Sequence, residues 1–199
     1  VLGSRGLGDV YKRQHVLTPI ASGVTAYSNE KATLDASNVS EGYIMVKYTG
    51  SVGKIKVQIT KSGSETYTYD LSSSGVYEVF PLSEGSGSYS VKVFENIQGN
   101  QYSQAFSQNV NASITNQFGP FLYPNQYVNF NAASAAVQTG ASVAASATDQ
   151  LGVVSNVYNY VINNVTYDTA KASSVQSGYL PNVDAVSYTH LRAHETLRH

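Results

Sequence analysis

The chain has 199 residues, 12 Lys plus Arg against 13 Asp plus Glu, a formal net charge of −1 and no cysteine. That excludes a disulfide framework, a thiolate metal site and a thiol nucleophile within it. There is no basic stripe with interleaved aromatics to favour nucleic acid, and no apolar run of membrane-spanning length. Charged residues make up only 13% of the chain. Ser, Thr, Asn, Gln and Tyr therefore supply most of its polar surface, a composition that suits a secreted or cell-surface β-rich protein.

The two ends have a common source. Ser4 to Gln14 reads SRGLGDVYKRQ and Val186 to Thr196 reads VSYTHLRAHET. Written as codons, the second is the reverse complement of the first in a shifted frame, up to its final residue. One DNA element in opposite orientation at both ends resembles a sequencing-library transposon adapter. Residues 1–14 and 185–199 are accordingly set aside as adapter translation. This removes His190-x-x-x-His194, whose spacing would otherwise suggest a shared Zn²⁺. The insert, 15–184, then holds seven lysines and eleven acids, a net charge of −4.

The segment 15–26 is mildly apolar, broken by Pro19, and ends Val24-Thr25-Ala26. Small residues at minus three and minus one are what a signal peptidase needs, so it reads as the tail of a secretory signal or as an N-terminal arm. Short alternating runs follow. Lys54 to Ile59 alternates polar and apolar without a miss, as a strand with one buried face must. Glu41–Thr49, Glu65–Leu71, Val76–Phe80, Ser88–Glu95 and Gln101–Ala112 are further strands, and Ala32–Ala36 is an added edge. Gly-Ser turns punctuate them, and Gly99-Asn100 is a hairpin signal. About seven strands in some 80 residues predict an antiparallel β-sandwich of immunoglobulin-like size over 27–115. Without a Cys pair or Trp it is not an antibody-type domain.

The 16 tyrosines admit two readings. Exposed rings stack on sugars, while buried ones pair across strands and stabilise a sheet by about 0.2–1 kcal/mol each; the second is the commoner use. Phe118 to Pro124 carries two prolines and a glycine, so 116–124 reads as an interdomain linker, packed down by its aromatics. Beyond it the period changes from two to about 3.6. Ala132–Ala147 is a helix of small residues with Ala133, Ala136, Val137, Gly140, Val143, Ala144 and Ala147 on one stripe. Leu151, Val154, Val157, Tyr158, Val161 and Ile162 lie on one side of a second helix. Thr148 is its expected N-cap, with Asp149 at the positive end of the dipole, and a left-handed Asn163 or Asn164 is its expected stop.

Val157 to Asn164, VYNYVINN, followed at once by Val-Thr-Tyr-Asp, resembles the helix that precedes the catalytic segment in transglutaminase-like proteins, which share papain-like thiol chemistry. The resemblance covers about Asn125 to Asp184, with Thr169–Asp184 matching the loop that leads to a Gly-x-Cys. It implies an incomplete α+β domain over 125–184. It further implies an intact parent that performs acyl transfer or peptide and amide hydrolysis on a protein or peptide substrate, in a secreted bacterial protein without a cofactor.

That chemistry needs a Cys, a His and an orienting acid or amide. The insert has no Cys and only His15, next to the adapter. The resemblance places all three beyond Asp184, so no residue here is assigned a catalytic, cofactor or metal role. Asp149, Asp168 and Asp184 are not fixed at glycosidase spacing; Asp168 reads as a turn cap. Asn38-Val39-Ser40, Asn111-Ala112-Ser113 and Asn164-Val165-Thr166 match the N-glycosylation triplet and receive no role. The alternative function is a non-catalytic adhesion or carbohydrate-binding sandwich, with cell wall or glycan as its partner.

Overall fold

The computed structural model describes residues 16–176, 178–186 and 190–191. They fall into two compact units, Thr18–Gln126 and a helical one from Tyr127 onward. Residues 1–14, set aside as adapter translation, as well as His15 and His194, lie outside the described residues.

Eight strands form the first unit: β1 (Ala26–Ser28), β2 (Ala32–Asp35), β3 (Tyr43–Tyr48), β4 (Ile55–Lys61), β5 (Thr66–Leu71), β6 (Glu78–Pro81), β7 (Gly87–Gln98) and β8 (Gln101–Ala112). One sheet has the order β1-β2-β3-β6, the other β5-β4-β7-β8, and all their pairings are antiparallel. The chain changes sheet after β3, β5 and β6, so sequence neighbours lie in opposite layers and a single core closes between them. The alternation in β4 is realised as expected. Ile55, Val57 and Ile59 are buried, and Val57 and Ile59 sit opposite Val93 and Val91 of β7. Ile44 and Val46 of β3, beside Phe80 and Leu34, supply the facing layer.

Three details differ from the sequence reading. β2 is an inner strand, because β1 pairs along its far side with Tyr27 opposite Leu34. Val76 lies outside β6 and is exposed. β3 is buried on both faces from Tyr43 to Val46, although one wet face was expected. The outer face at Tyr43 is covered by the flanking segments. Tyr123 packs against the Tyr43 ring, centroids 4.5 Å apart and tilted by 47°, and the Tyr43 hydroxyl accepts from the Ile20 amide at 3.2 Å. The segment 18–26 is tied down further where the Gly23 amide donates to Asp35 Oδ2 at 2.6 Å and the Ala36 amide to the Thr25 carbonyl at 2.8 Å.

The stretch 116–124 belongs to the sandwich unit, which runs through Gln126. Its turn Gly119–Phe121 is a 3₁₀ helix with Gly119 and Pro120 buried. Gln126 closes the unit by donating to the Asp70 carbonyl at 2.6 Å and to Glu78 Oε2 at 2.7 Å.

The second unit contains α1 (Ala135–Ala144), α2 (Gln150–Asn164), β9 (Thr166–Tyr167), α3 (Thr169–Ser174), α4 (Val183–Val186) and β10 (His190–Leu191). β10, two residues within the adapter-like tail, runs parallel to β9. Ala136, Gly140 and Val143 of α1 line a groove of about 190 Å³ with Val157, Tyr160 and Val161 of α2; small residues on α1 let the helices approach. Asp149, not Thr148, caps α2, accepting from the Gly152 amide at 2.7 Å. The helix does stop at Asn164, but without a left-handed Asn, since no non-Gly residue among those described has positive φ. Instead Asn163 and Asn164 donate back to the carbonyls of Asn159 and Tyr160, at 2.8 and 2.9 Å. Part of the expected loop 169–184 is helical, because Asp168 caps α3 through the Lys171 amide at 2.8 Å.

The six-residue apolar side of α2 divides. Val157 and Val161 turn toward α1, while Leu151, Val154, Tyr158 and Ile162 are 78%, 63%, 62% and 55% exposed. Neither α1 nor α2 has a fully buried residue, whereas the sandwich has a fully buried core. Amide hydrogen exchange is therefore expected to be slow across β3, β4 and β7 and fast across α1 and α2. Equal protection in the two units would refute this.

Candidate functional site

The sandwich places its ionisable side chains as fasteners. At one end, Tyr48 of β3 and Glu95 of β7 reach toward each other from opposite sheets, and the Tyr48 hydroxyl donates to Glu95 Oε1. Lys31, just before β2, donates to Glu95 Oε2 at 2.6 Å. The Val52 amide donates to the Tyr48 hydroxyl at 3.3 Å, so both sheets and the β3–β4 loop meet on one carboxylate. Tyr48 is fully buried and Glu95 is 7% exposed, yet the Lys31 side chain is about half exposed. The Lys31 ammonium, and next the Tyr48 hydroxyl, hold the Glu95 carboxyl below its usual range. Burial, and next the bond to Glu95, push the Tyr48 hydroxyl up.

A carboxyl with a depressed folded pKa stabilises fully above its unfolded pKa of about 4.3 and loses that contribution as pH falls through the lower folded value. The wild-type chain should therefore lose stability faster than Glu95→Gln as pH drops below about 4.3. Urea unfolding at several acidic pH values checks this, and parallel curves would rule it out.

Tyr89, at the start of β7, is 2% exposed. Its hydroxyl donates to the Gly85 carbonyl at 2.6 Å and to the Leu82 carbonyl at 3.3 Å. Burial, with the Glu84 carboxylate nearby, pushes its pKa up to about 12. This is the corner geometry that pins the crossing between sheets in immunoglobulin-like sandwiches. The sequence reading grouped Tyr89 with other strand tyrosines; only the upstream turn Leu82–Gly85 could have singled it out.

The remaining tyrosines mostly pack. Tyr43, Tyr48 and Tyr69 are buried, Tyr67 donates to Glu84 Oε1 at 2.5 Å, and Lys47 lies 4.8 Å from the Tyr77 ring centroid. Among the strands of the sandwich Tyr27 is the exposed one, at 37%. It stands at a cleft of about 490 Å³ where Tyr27, Ser28 and Asn29 face Gln104–Gln108 of β8. Asn29 Nδ2 donates across it to the Ala105 carbonyl at 2.8 Å.

The three aspartates considered for acid chemistry all accept from backbone amides. Asp149 and Asp168 cap α2 and α3, and Asp184 Oδ1 accepts from the Ala136 amide at 3.1 Å. Among the described residues no group of three or more His, Cys, Asp or Glu could hold a metal ion, and no helix is long and apolar enough to cross a membrane. Of the glycosylation triplets, Asn38 donates to the Ile20 carbonyl at 2.7 Å and Asn164 to Tyr160, while Asn111 is exposed on β8.

Comparison with known proteins finds likenesses for the sandwich. The first is a computer-redesigned β-sandwich protein, at 15% identity and a TM-score of 0.33, covering 51% of this chain and 100% of the other. The second is the fn3 domain of the human collagen α-1(XX) chain, at 18% identity and a TM-score of 0.36, covering 48% and 90%. No protein-family model and no curated protein matches the sequence. The first unit is an immunoglobulin-like β-sandwich. Its own sheet order and the Tyr89 corner carry that assignment.

Proposed function

We propose that the chain is the N-terminal part of a secreted bacterial transglutaminase-like protein. In this reading the sandwich is an accessory module and the helical unit opens the thiol-enzyme domain. The observation that carries it is the outward stripe Leu151, Val154, Tyr158 and Ile162 on α2, directly followed by the short strand β9. A helix with apolar residues at such spacing is built to be covered, and in a thiol-enzyme domain a central sheet and the nucleophile's helix would cover it. The resemblance of Val157–Asp168 supplies the order of elements. The chain has no Cys, so the nucleophile, its base and the orienting residue would be supplied downstream.

The test is to recover the uninterrupted reading frame. A Gly-x-Cys within a few dozen codons after Asp184, then His and Asp, supports the reading; no thiol in that window overturns it. The present chain should incorporate no amine into a glutamine substrate and hydrolyse no peptide, and turnover above background would contradict this.

A second reading, with the sandwich as a non-catalytic adhesion or glycan-binding module, is favoured by one observation. The cleft beside Tyr27 is lined by hydroxyls and amides and by no charged residue.

A further inference from the structure

We infer that the cleft between β1 and β8 binds a neutral saccharide. Its walls are the edges of the two sheets, held together by the Asn29–Ala105 hydrogen bond, so the site is formed before any ligand arrives. Ser28, Asn29, Gln104, Ser107 and Gln108 line it. Hydroxyls and carboxamides both donate and accept, which is what vicinal sugar hydroxyls require. Tyr27, 37% exposed, and Phe106, 8% exposed, also line the cleft and supply the aromatic component that the C–H side of a pyranose would use. With no ionic group in the lining, anions and cations gain nothing there. A volume of about 490 Å³ lies in the range of small-ligand sites, roughly 300–1,000 Å³.

An uncharged extended peptide adding to the free edge of β8 is the competing occupant. The observations favour sugar. The outward Ala105 carbonyl is already taken by Asn29, and Gln108 Nε2 reaches the Asn109 carbonyl at 2.9 Å, so parts of that edge are capped by side chains.

This inference rests on the sandwich having a binding role, the second reading above. Its failure leaves the downstream thiol question untouched, because that is decided by the gene alone.

The test is an NMR titration of the full chain with β-1,4-linked glucose and N-acetylglucosamine tetramers, an α-1,4-linked glucose tetramer, and an uncharged eight-residue peptide. One or more sugars should shift amides of Tyr27–Asn29 and Gln104–Gln108, with affinity unchanged by added salt. Tyr27→Ala and Gln104→Ala should each weaken it at least about tenfold while the core amides keep their wild-type positions. Gln108→Ala provides a third variant should either of those perturb β1 or β8. No shift with any sugar at about 10 mM, where a contact of about −4 kcal/mol would still register, overturns the inference. So does binding by the peptide alone, or sugar binding that all three variants retain.

Discussion

Phe80→Ala is expected to destabilise the sandwich by about 3–5 kcal/mol. Phe80 is fully buried on β6, an edge strand of its sheet. Its ring meets Tyr69 of β5, an edge strand of the other sheet, in an edge-to-face contact with centroids 5.1 Å apart. It also lies opposite Ile44 of β3. Removing it takes away transfer energy and leaves a cavity that β6, only four residues long, can collapse into only partly. Urea unfolding should show a lower midpoint at unchanged slope. The control is Tyr158→Ser on the exposed face of α2, which should leave that midpoint in place. A Phe80→Ala cost below about 1 kcal/mol would mean that the two sheets do not meet on this side.

Gly42→Ala is expected to cost about 2–5 kcal/mol, a sum of two effects. Gly42 ends the 3₁₀ turn Val39–Glu41 at φ +92°, a conformation that costs a non-glycine residue about 1–2 kcal/mol. An added Cβ would also come within 2.5 Å of Pro120 Cδ and 2.6 Å of the Pro120 nitrogen. This is backbone and ring, not a flexible tip, so the 3₁₀ segment must shift at about 1–3 kcal/mol. The double variant Gly42→Ala, Pro120→Ala removes the ring part of the clash but leaves the contact with the backbone nitrogen of residue 120 and the positive φ, so it should recover only part of the loss. Loss of protection confined to 116–126 would show that the segment is docked on the sandwich but does not hold it together.

How much was legible depended on the range of the physics. Strict alternation in Lys54–Ile59 marked β4 because a two-faced strand leaves a period of two in its own residues. The hairpin at Gly99-Asn100 was readable for the same local reason: Gly99 takes φ +54° in a turn whose flanking strands it directly joins. Elsewhere local pattern misled. Tyr43–Val46 gave no sign of being covered on both faces; at Tyr43 the cover comes from Ile20 and Tyr123, far away in sequence. β1, only three residues long, straddles the boundary at Ala26–Tyr27 between the expected leader and the expected sandwich, and a stretch that short carries no period to read. The Asn pair at the end of α2 stopped the helix by side-chain bonds to carbonyls, which composition cannot distinguish from a left-handed stop.

The candidate sites divide in the same way. The sequence alone determined that no thiol chemistry resides in this chain, since the absence of Cys is a covalent fact that no fold can change. It also determined the antiparallel sandwich class, because alternation and turn spacing are written residue by residue. Only the tertiary structure decided which tyrosines bind the layers together and which one in the strands of the sandwich faces solvent. Tyr48 reaches Glu95 across 47 positions and Asn29 reaches Ala105 across 76. Contacts at that separation are selected by how two sheets stack, a property of the whole layer that no short window of sequence contains.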